Sequence, residues 1–324
     1  MQPPTSSSPT SSATASPSPA PRRLPHLSPA KLRRLRRLFR LLGAISPSLA
    51  ARVLLDRFQR PGRRRALDAV DETLLAQARL ERLRVGDDEV QVYVWGASDA
   101  PAVLLVHGWG SHAPRWSGFV EQILALGLRA IAFDAPAHGR STGERSNLPG
   151  FQTALDAVIA RFGPVRALIA HSFGALTVAT RMADSRSPLR PAAAVLISLP
   201  KDADYLLGLY LDMIEASPPV RTHVQRLFVE RWGVPPSAFS ALSGAARIGT
   251  PVLVVHDDDD ESVPPDHSLE FAGLLPRGTL HRTRGLGHNR LLRDPATIAE
   301  VMAFVGRTLA GSSAAAIQQP AGRP

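Results

Sequence analysis

The chain contains no cysteine, and that absence removes three possibilities at once. No disulfide framework can staple it, no thiolate can hold a metal, and no thiol can act as a nucleophile. Lysine is almost missing too: arginine accounts for 36 of the 38 basic residues. Such a bias points to genome composition rather than to local selection of arginine. No uninterrupted apolar run is long enough to span a bilayer. Neither an HExxH pattern nor a Gly-spaced calcium loop occurs, so no metal and no other cofactor is expected. The N-terminal region makes a poor secretory signal, because arginines are scattered through its leucines. Its Arg- and Ser-rich, acid-poor composition also suits a transit peptide, but the arginine bias extends through the whole chain. The expected compartment is therefore the cytoplasm.

What is present is unevenly placed. Residues 1–21 carry no charged side chain, whereas residues 22–65 hold fourteen Arg/Lys and the single acid Asp56, a local charge of +13. With +10 over all 324 residues, residues 66–324 are mildly acidic at −3. The Ser/Pro/Thr-rich stretch 1–29 is too polar to build a packed core and is expected to be disordered, as is a tail at 311–324.

Between them, residues 30–45 repeat apolar side chains at Leu32, Leu35, Leu38/Phe39, Leu42 and Ile45, a helical spacing with arginines on the other faces. A second helix is expected from Ser46 as N-cap and Pro47 as first residue, carrying Leu49, Val53, Leu54 and Phe58 and ending before Pro61. This basic extension, 30–65, has two readings. Peripheral contact with an anionic membrane surface is one. The other, the commoner use of an amphipathic helix, is a leucine stripe packed on the catalytic body with arginines in water. Nucleic-acid binding is not expected, since no recognised binding motif accompanies the arginines. The oligomeric state is left open.

From residue 78 to 310 the pattern alternates strands and helices. Leu80–Val85 and Glu89–Trp95 flank a Gly-Asp-Asp turn, and Val90, Val92 and Val94 alternate as in a half-buried strand. Ala102–Val106, Ala130–Phe133, Val165–Ala170, Ala193–Leu199 and Val252–Val255 are continuous apolar runs, as in a parallel sheet buried on both faces. Helical stretches at Trp116–Leu126 and Asn147–Phe162, and a last strand-loop-helix from Leu280 to Leu309, complete an α/β fold. It is a mostly parallel, doubly wound sheet with helices on both faces. Residues 201–248 interrupt it as a mixed helical insertion. Active sites of such sheets collect at the carboxyl ends of the strands.

One stretch stands out, Val165 to Ala183. An apolar strand breaks at His171-Ser172-Phe173-Gly174 and continues as a helix. Strand, sharp turn and helix with a serine at the corner form the context of a nucleophile elbow, in which the hydroxyl is held exposed for a base to activate. Small neighbours, Ala170 and Gly174, let strand and helix approach.

Five stretches in order, VLLVHGWG (103–110), FDAPAHGRS (133–141), IAHSFGA (169–175), VVHDDDDESVP (254–264) and GLGHNRLL (285–292), make the chain resemble the α/β-hydrolase superfamily. It departs from the family pattern at Ala170, where the first elbow glycine is usual, and at Asp257, where a glycine commonly follows the histidine. The resemblance implies a serine hydrolase with a short helical lid at 201–248 and a Ser172–Asp260–His288 triad. Asp260 follows from alignment on His-x-x-x-Asp-x-x-Val-Pro, with Asp258 in reserve. Backbone N–H groups of Trp109 and Phe173 would form the oxyanion hole. Asp257, Asp258 and Asp259 are otherwise expected in a solvated loop. His171 is expected to pack below the elbow, His107 and His138 to organise loops, and His112, His267 and His281 to lie at the surface.

The expected activity is cleavage of a carboxylic ester or related small-molecule acyl substrate with an apolar part, through an acyl-enzyme. Acyl transfer, or C–C or amide cleavage on the same triad, stays open, as does a non-catalytic binding protein of this fold. The apolar residues of 201–248, among them Tyr205, Leu206, Leu209, Tyr210, Phe228 and Trp232, suit an acyl pocket or a small core of their own.

Overall fold

Branched apolar runs dictate the strands. The computed structural model describes residues 28–62, 66–187 and 189–317. One sheet contains β1 (Arg79–Val85), β2 (Asp88–Trp95), β3 (Ala102–Val106), β4 (Arg129–Phe133), β5 (Val165–His171), β6 (Ala193–Ile197), β7 (Val252–Asp257) and β8 (Gly278–Thr283). Their order is β1-β2-β4-β3-β5-β6-β7-β8. β2 runs antiparallel to β1 and to β4, and every pair from β4 to β8 is parallel. The β1–β2 hairpin turns through Gly86 at φ 62°, a left-handed conformation that glycine adopts without steric cost.

The helices are α1 (Pro29–Ile45), α2 (Pro47–Phe58), α3 (Ala69–Ala76), α4 (Ser117–Ala125), α5 (Leu148–Phe162), α6 (Phe173–Ala183), α7 (Ala203–Met213), α8 (Pro218–Trp232), α9 (Pro265–Leu274), α10 (Gly287–Arg290) and α11 (Pro295–Ile317). One sheet face is covered by α5, α6 and α9 through Phe151, Leu155, Leu176 and Phe271. The other is covered by α3, α4 and α11 through Leu74, Phe119, Ile123, Val301 and Val305. With both faces covered, β3, β6 and β7 are buried at every position, as continuous apolar runs require.

Several expectations change. β2 is not half-buried: Tyr93 and Trp95 on its second face are as enclosed as Val92 and Val94. The cover is α3, which periodicity left unread. Trp95 Nε1 donates to the Leu74 carbonyl at 2.9 Å, and α3 starts in a capping box between Asp68 and Asp71. β6 stops at Ile197, where Ser198 turns to φ 51°. α11 continues to Ile317, past the expected tail boundary at 311, because the Ala-rich segment favours helix. The expected disorder of residues 1–27 and 318–324 concerns positions outside the described residues.

In the basic extension, Ser46 caps α2 by accepting from Leu49 N at 3.3 Å, with Pro47 at the first position as expected. The inward face matches the expected stripe only in part. Leu35, Phe39, Ala50, Ala51, Leu54 and Leu55 are buried, whereas Leu38, Ile45, Leu49 and Val53 stay exposed. Packing is on the body as expected, through its helical insertion: α1 and α2 share a core with α7 and α8, through Leu207, Leu211, Val220 and Val224. Arg36 locks this arrangement, donating from Nε to the Met213 carbonyl at 2.8 Å and pairing with Glu215 at 2.9 Å.

Candidate active site

Ser172 joins the last residue of β5 to the first of α6 and has φ 53° and ψ −119°. L residues avoid this region at a typical cost of about 1–3 kcal/mol, so the surroundings must impose it. Ser172 N donates to the Ile197 carbonyl at 2.8 Å. The next turn comes so close to β3 that a Cβ on Gly174 would lie 2.5 Å from the carbonyl oxygens of Val106 and His107. Ala170, in place of the usual glycine, fits fully buried inside β5.

Past the end of β7, Asp260 accepts hydrogen bonds from Ser262 N and Val263 N, both at 2.8 Å. Its other oxygen accepts from His288 Nδ1 at 2.7 Å and lies 3.3 Å from His256 Nε2. Burial opposes ionisation of this carboxyl. The hydrogen bonds from His256 and His288 outweigh burial and hold it well below the usual carboxylate range.

His288 lies in α10, just after β8. A carboxylate only accepts, so the bond to Asp260 fixes the proton on Nδ1 and leaves the Nε2 lone pair facing Ser172 Oγ, 3.0 Å away. Hydroxyl, imidazole and carboxylate, distant in sequence, thus form one chain of hydrogen bonds.

The acidic run is solvated only in part: Asp259 is exposed and Asp258 half-buried, but Asp257 ends β7 and is enclosed. Asp257 is fully buried and accepts from Thr283 Oγ1 at 2.7 Å, Leu286 N at 3.0 Å and Gly287 N at 2.8 Å. Those bonds keep it ionised against burial. Asp259 accepts from Gly285 N at 3.0 Å, and Glu261 from His288 N at 3.3 Å. Three carboxylates therefore grip the backbone that carries His288. Asp258 turns away, pairing with Arg282 at 2.7 Å and Arg284 at 3.6 Å.

Trp109 follows β3, and Phe173 opens α6. The first amides of a helix have no intrahelical acceptor, so the Phe173 N–H is free to face a ligand, and the helix dipole favours negative charge there. Trp109 and Phe173 pack edge to face at 5.2 Å, and Phe151 contacts both rings. A polar network behind β3 fixes the Trp109 turn. His107 Nδ1 donates to the Gly108 carbonyl at 2.7 Å and Nε2 accepts from Ala135 N at 3.0 Å; burial lowers His107 to about 4 and keeps it neutral. Asp134 accepts from Ala113 N, Arg140 N and Tyr93 OH at 2.7–2.8 Å. Gly139, at φ 46°, passes so close to Asp134 that any side chain there would overlap the carboxylate.

Other histidines divide. His171 packs beneath the elbow, and His138 bonds within its own loop to the Pro136 carbonyl at 2.9 Å. His112 and His267, expected at the surface, are buried. His112 sits 3.7 Å from Asp71 under the unread α3, and His267 stacks edge to face on Tyr205 at 4.5 Å. Their partners lie some 40 and 60 residues away, beyond what local spacing can indicate.

Ser172 and His288 open into a cavity of about 990 Å³, also lined by Trp109 and Phe173. The helices of 201–248 use their apolar residues both ways. Leu207, Leu211 and Val224 go to the core with α1 and α2, whereas Leu206 and Leu209 face the cavity; Tyr210, Phe228 and Trp232 do both. Sequence reasoning missed a further part of this wall. Leu35 and Phe58, with Lys31 and Arg57, bring the basic extension to the cavity. The signal was a leucine stripe too wide for one buried face.

Comparison with known proteins agrees with this architecture. The chain is 28% identical over 274 residues to a non-heme chloroperoxidase of Burkholderia pyrrocinia, covering 67% of this chain and 97% of that one. It is 27% identical over 260 residues to a bifunctional esterase/perhydrolase of Acinetobacter calcoaceticus, covering 65% and 94%. It is also 27% identical over 219 residues to a monoacylglycerol lipase of Mycolicibacterium smegmatis, covering 56% and 78%. Among solved structures, an esterase of Pyrococcus furiosus superposes with a TM-score of 0.57 at 19% identity, covering 78% of this chain and 97% of that one. The model of the alpha/beta hydrolase family matches residues 103–301. With that match spanning more than half of the sequence, and the sheet order and strand-end site of the fold in place, the chain belongs to the alpha/beta hydrolase family.

Proposed function

We propose that this family member is a serine hydrolase that cleaves a carboxylic ester with an apolar acyl part. The observation that carries the reading is one pair of distances, 3.0 Å from His288 Nε2 to Ser172 Oγ and 2.7 Å from His288 Nδ1 to Asp260. As Ser172 Oγ attacks the ester carbonyl, its proton passes to His288 Nε2, and Asp260 stabilises the imidazolium so formed. The carbonyl oxygen becomes an oxyanion, received by the N–H groups of Trp109 and Phe173. Losing one such donor typically costs about 3–4 kcal/mol of transition-state stabilisation. Return of the proton to the alkoxide leaving group leaves an acyl-serine. Water, deprotonated by the same imidazole, then releases the acid.

Leu206, Leu209, Phe228 and Trp232 supply an apolar wall for the acyl chain. The cavity is at the upper end of ordinary ligand pockets, which span roughly 300–1,000 Å³, and suits a medium or long chain better than acetyl. The esterase and lipase names among the relatives at 27% identity point the same way. The test is hydrolysis of p-nitrophenyl esters of graded acyl length. The expected kcat/KM rises from acetate to medium chains and vanishes in Ser172→Ala. No turnover at any length would shift the reading to amide, C–C or transfer chemistry on the same residues.

A further inference from the structure

Packing α1 and α2 on α7 and α8 uses only one side of each helix. A second set of apolar residues remains outside: Leu38, Leu41 and Ile45 on α1, and Leu49 and Val53 on α2. The spacings i, i+3, i+7 and then i, i+4 put each set on one outward face. Exposure reaches 65% at Leu41 and 81% at Ile45. Single exposed leucines are ordinary, but a set of five on two consecutive helices marks a contact surface.

The charge beside this set is mostly positive, and the one acid on these helices, Asp56, three residues after Val53, is already paired with Arg60 and Arg145. Residues 28–55 contain no Asp or Glu. Arg34 and Arg37 lie one turn from Leu38 and Leu41, and Arg52 follows Leu49 by three residues. All are exposed, and among the described residues none of the three forms an ion pair, unlike Arg36 and Arg40, which share Glu215. Arginine stems can lie along an apolar surface while their guanidinium groups reach an anionic layer above it. Shallow apolar insertion ringed by cations complements the boundary between phosphate headgroups and acyl chains. The same two helices contribute Leu35 and Phe58 to the cavity wall, so a surface that holds amphiphiles would lie against the elements that border the cavity.

We propose that the outer face of α1 and α2 docks on an anionic lipid surface, with Leu38, Leu41, Ile45, Leu49 and Val53 at the acyl boundary and Arg34, Arg37 and Arg52 on the headgroups. The proposal does not depend on the catalytic reading. The experiment is co-sedimentation of the full chain with vesicles of phosphatidylcholine, alone or with about one-third phosphatidylglycerol, at low and high salt. The expected result is binding to the mixed vesicles only, weakened by salt. Leu41→Gln/Ile45→Gln and Arg34→Gln/Arg37→Gln should each lower that binding roughly tenfold or more with an unchanged thermal midpoint. No binding, equal binding to both vesicles, or wild-type binding by both variants would overturn it. A concentration-dependent dimer abolished by Leu41→Gln/Ile45→Gln would also overturn it, assigning the face to a second copy of the chain.

Discussion

His171 donates its Nε2 proton to the backbone carbonyl of His288, 2.8 Å away, and so ties the residue before the nucleophile to the residue that faces it. A carbonyl only accepts, so Nε2 must carry the proton. Burial, helped by the neighbouring His288, lowers His171 to about 3, which keeps it a neutral donor at working pH. Its ring also packs on that of His288 at 4.8 Å. Replacing it with Ala leaves a buried carbonyl unpaired, at a cost of about 1–3 kcal/mol in stability. The expected kinetic result is a kcat roughly tenfold lower with KM little changed, because the imidazole loses its support. His171→Gln, which keeps a donor, should recover part of the loss. Steady-state kinetics and urea melts of the two variants check this.

The carboxylates after β7 have different tasks, which substitution separates. Asp260→Asn should lower kcat by about 10⁴ by removing the anion that fixes the tautomer and stabilises the imidazolium of His288. Asp258→Asn should leave kcat near wild type. It breaks ion pairs with the exposed Arg282 and Arg284, worth about 0–1 kcal/mol to stability. Loss of activity in Asp258→Asn alone would reverse the assignment.

His256 stands behind Asp260. Its Nε2–H is shared between the Val263 carbonyl at 3.1 Å and Asp260 at 3.3 Å, and its Nδ1 accepts from Ser268 Oγ at 2.6 Å. It acts as a positioning residue, one step removed from the reacting atoms. His256→Phe withdraws one of the hydrogen bonds that hold the Asp260 carboxyl low. Stability at neutral pH should fall by about 1–3 kcal/mol and kcat/KM by roughly tenfold. His256→Gln should recover part of both. A variant that loses stability with no change in kcat/KM would limit His256 to packing.

Buried neutral histidines set the response to acid. Burial lowers His107 from 6.5 to about 4 and His171 from 6.5 to about 3. Between those values and 6.5 the unfolded chain binds protons that the native state refuses. Stability therefore rises with pH through this window and falls as pH drops from 6.5 towards 4. The loss is about 1.4 kcal/mol per pH unit for each histidine. Asp260 adds nothing there: its contribution is complete above the unfolded carboxyl value of 3.8 and is lost only below it. Urea midpoints measured from pH 7 to 4 should fall steeply, and His171→Gln should make the fall shallower without abolishing it, since burial lowers His112 as well.

The sheet was legible because local chemistry encodes it, whereas the grouping of Ser172, Asp260 and His288 came from the resemblance of their motifs to a known family. Continuous apolar runs mark strands buried on two faces, and Ser172 and Asp260 follow two of them, β5 and β7; His288 follows β8, an edge strand that is polar and partly exposed. Burial that depends on distant partners was not legible. Asp257 appears solvated in a run of acids, yet its partners Leu286 and Gly287 come from a loop about thirty residues on. His112 is buried by α3, whose eight residues are too short for periodicity to separate from a loop. In α1 the spacing announces a helix with two apolar arcs. Which residues of the stripe meet α7 and α8 depends on the far partner: Leu35 and Phe39 turn inward, Leu38 and Ile45 outward.

The most direct test of the central claim is labelling of the intact protein with an alkyl fluorophosphonate, followed by mass spectrometry and peptide mapping. One adduct, on Ser172, is the predicted result, with no label in Ser172→Ala and normal labelling in Asp258→Asn. An unlabelled intact protein, or an adduct that persists in Ser172→Ala, would contradict the account.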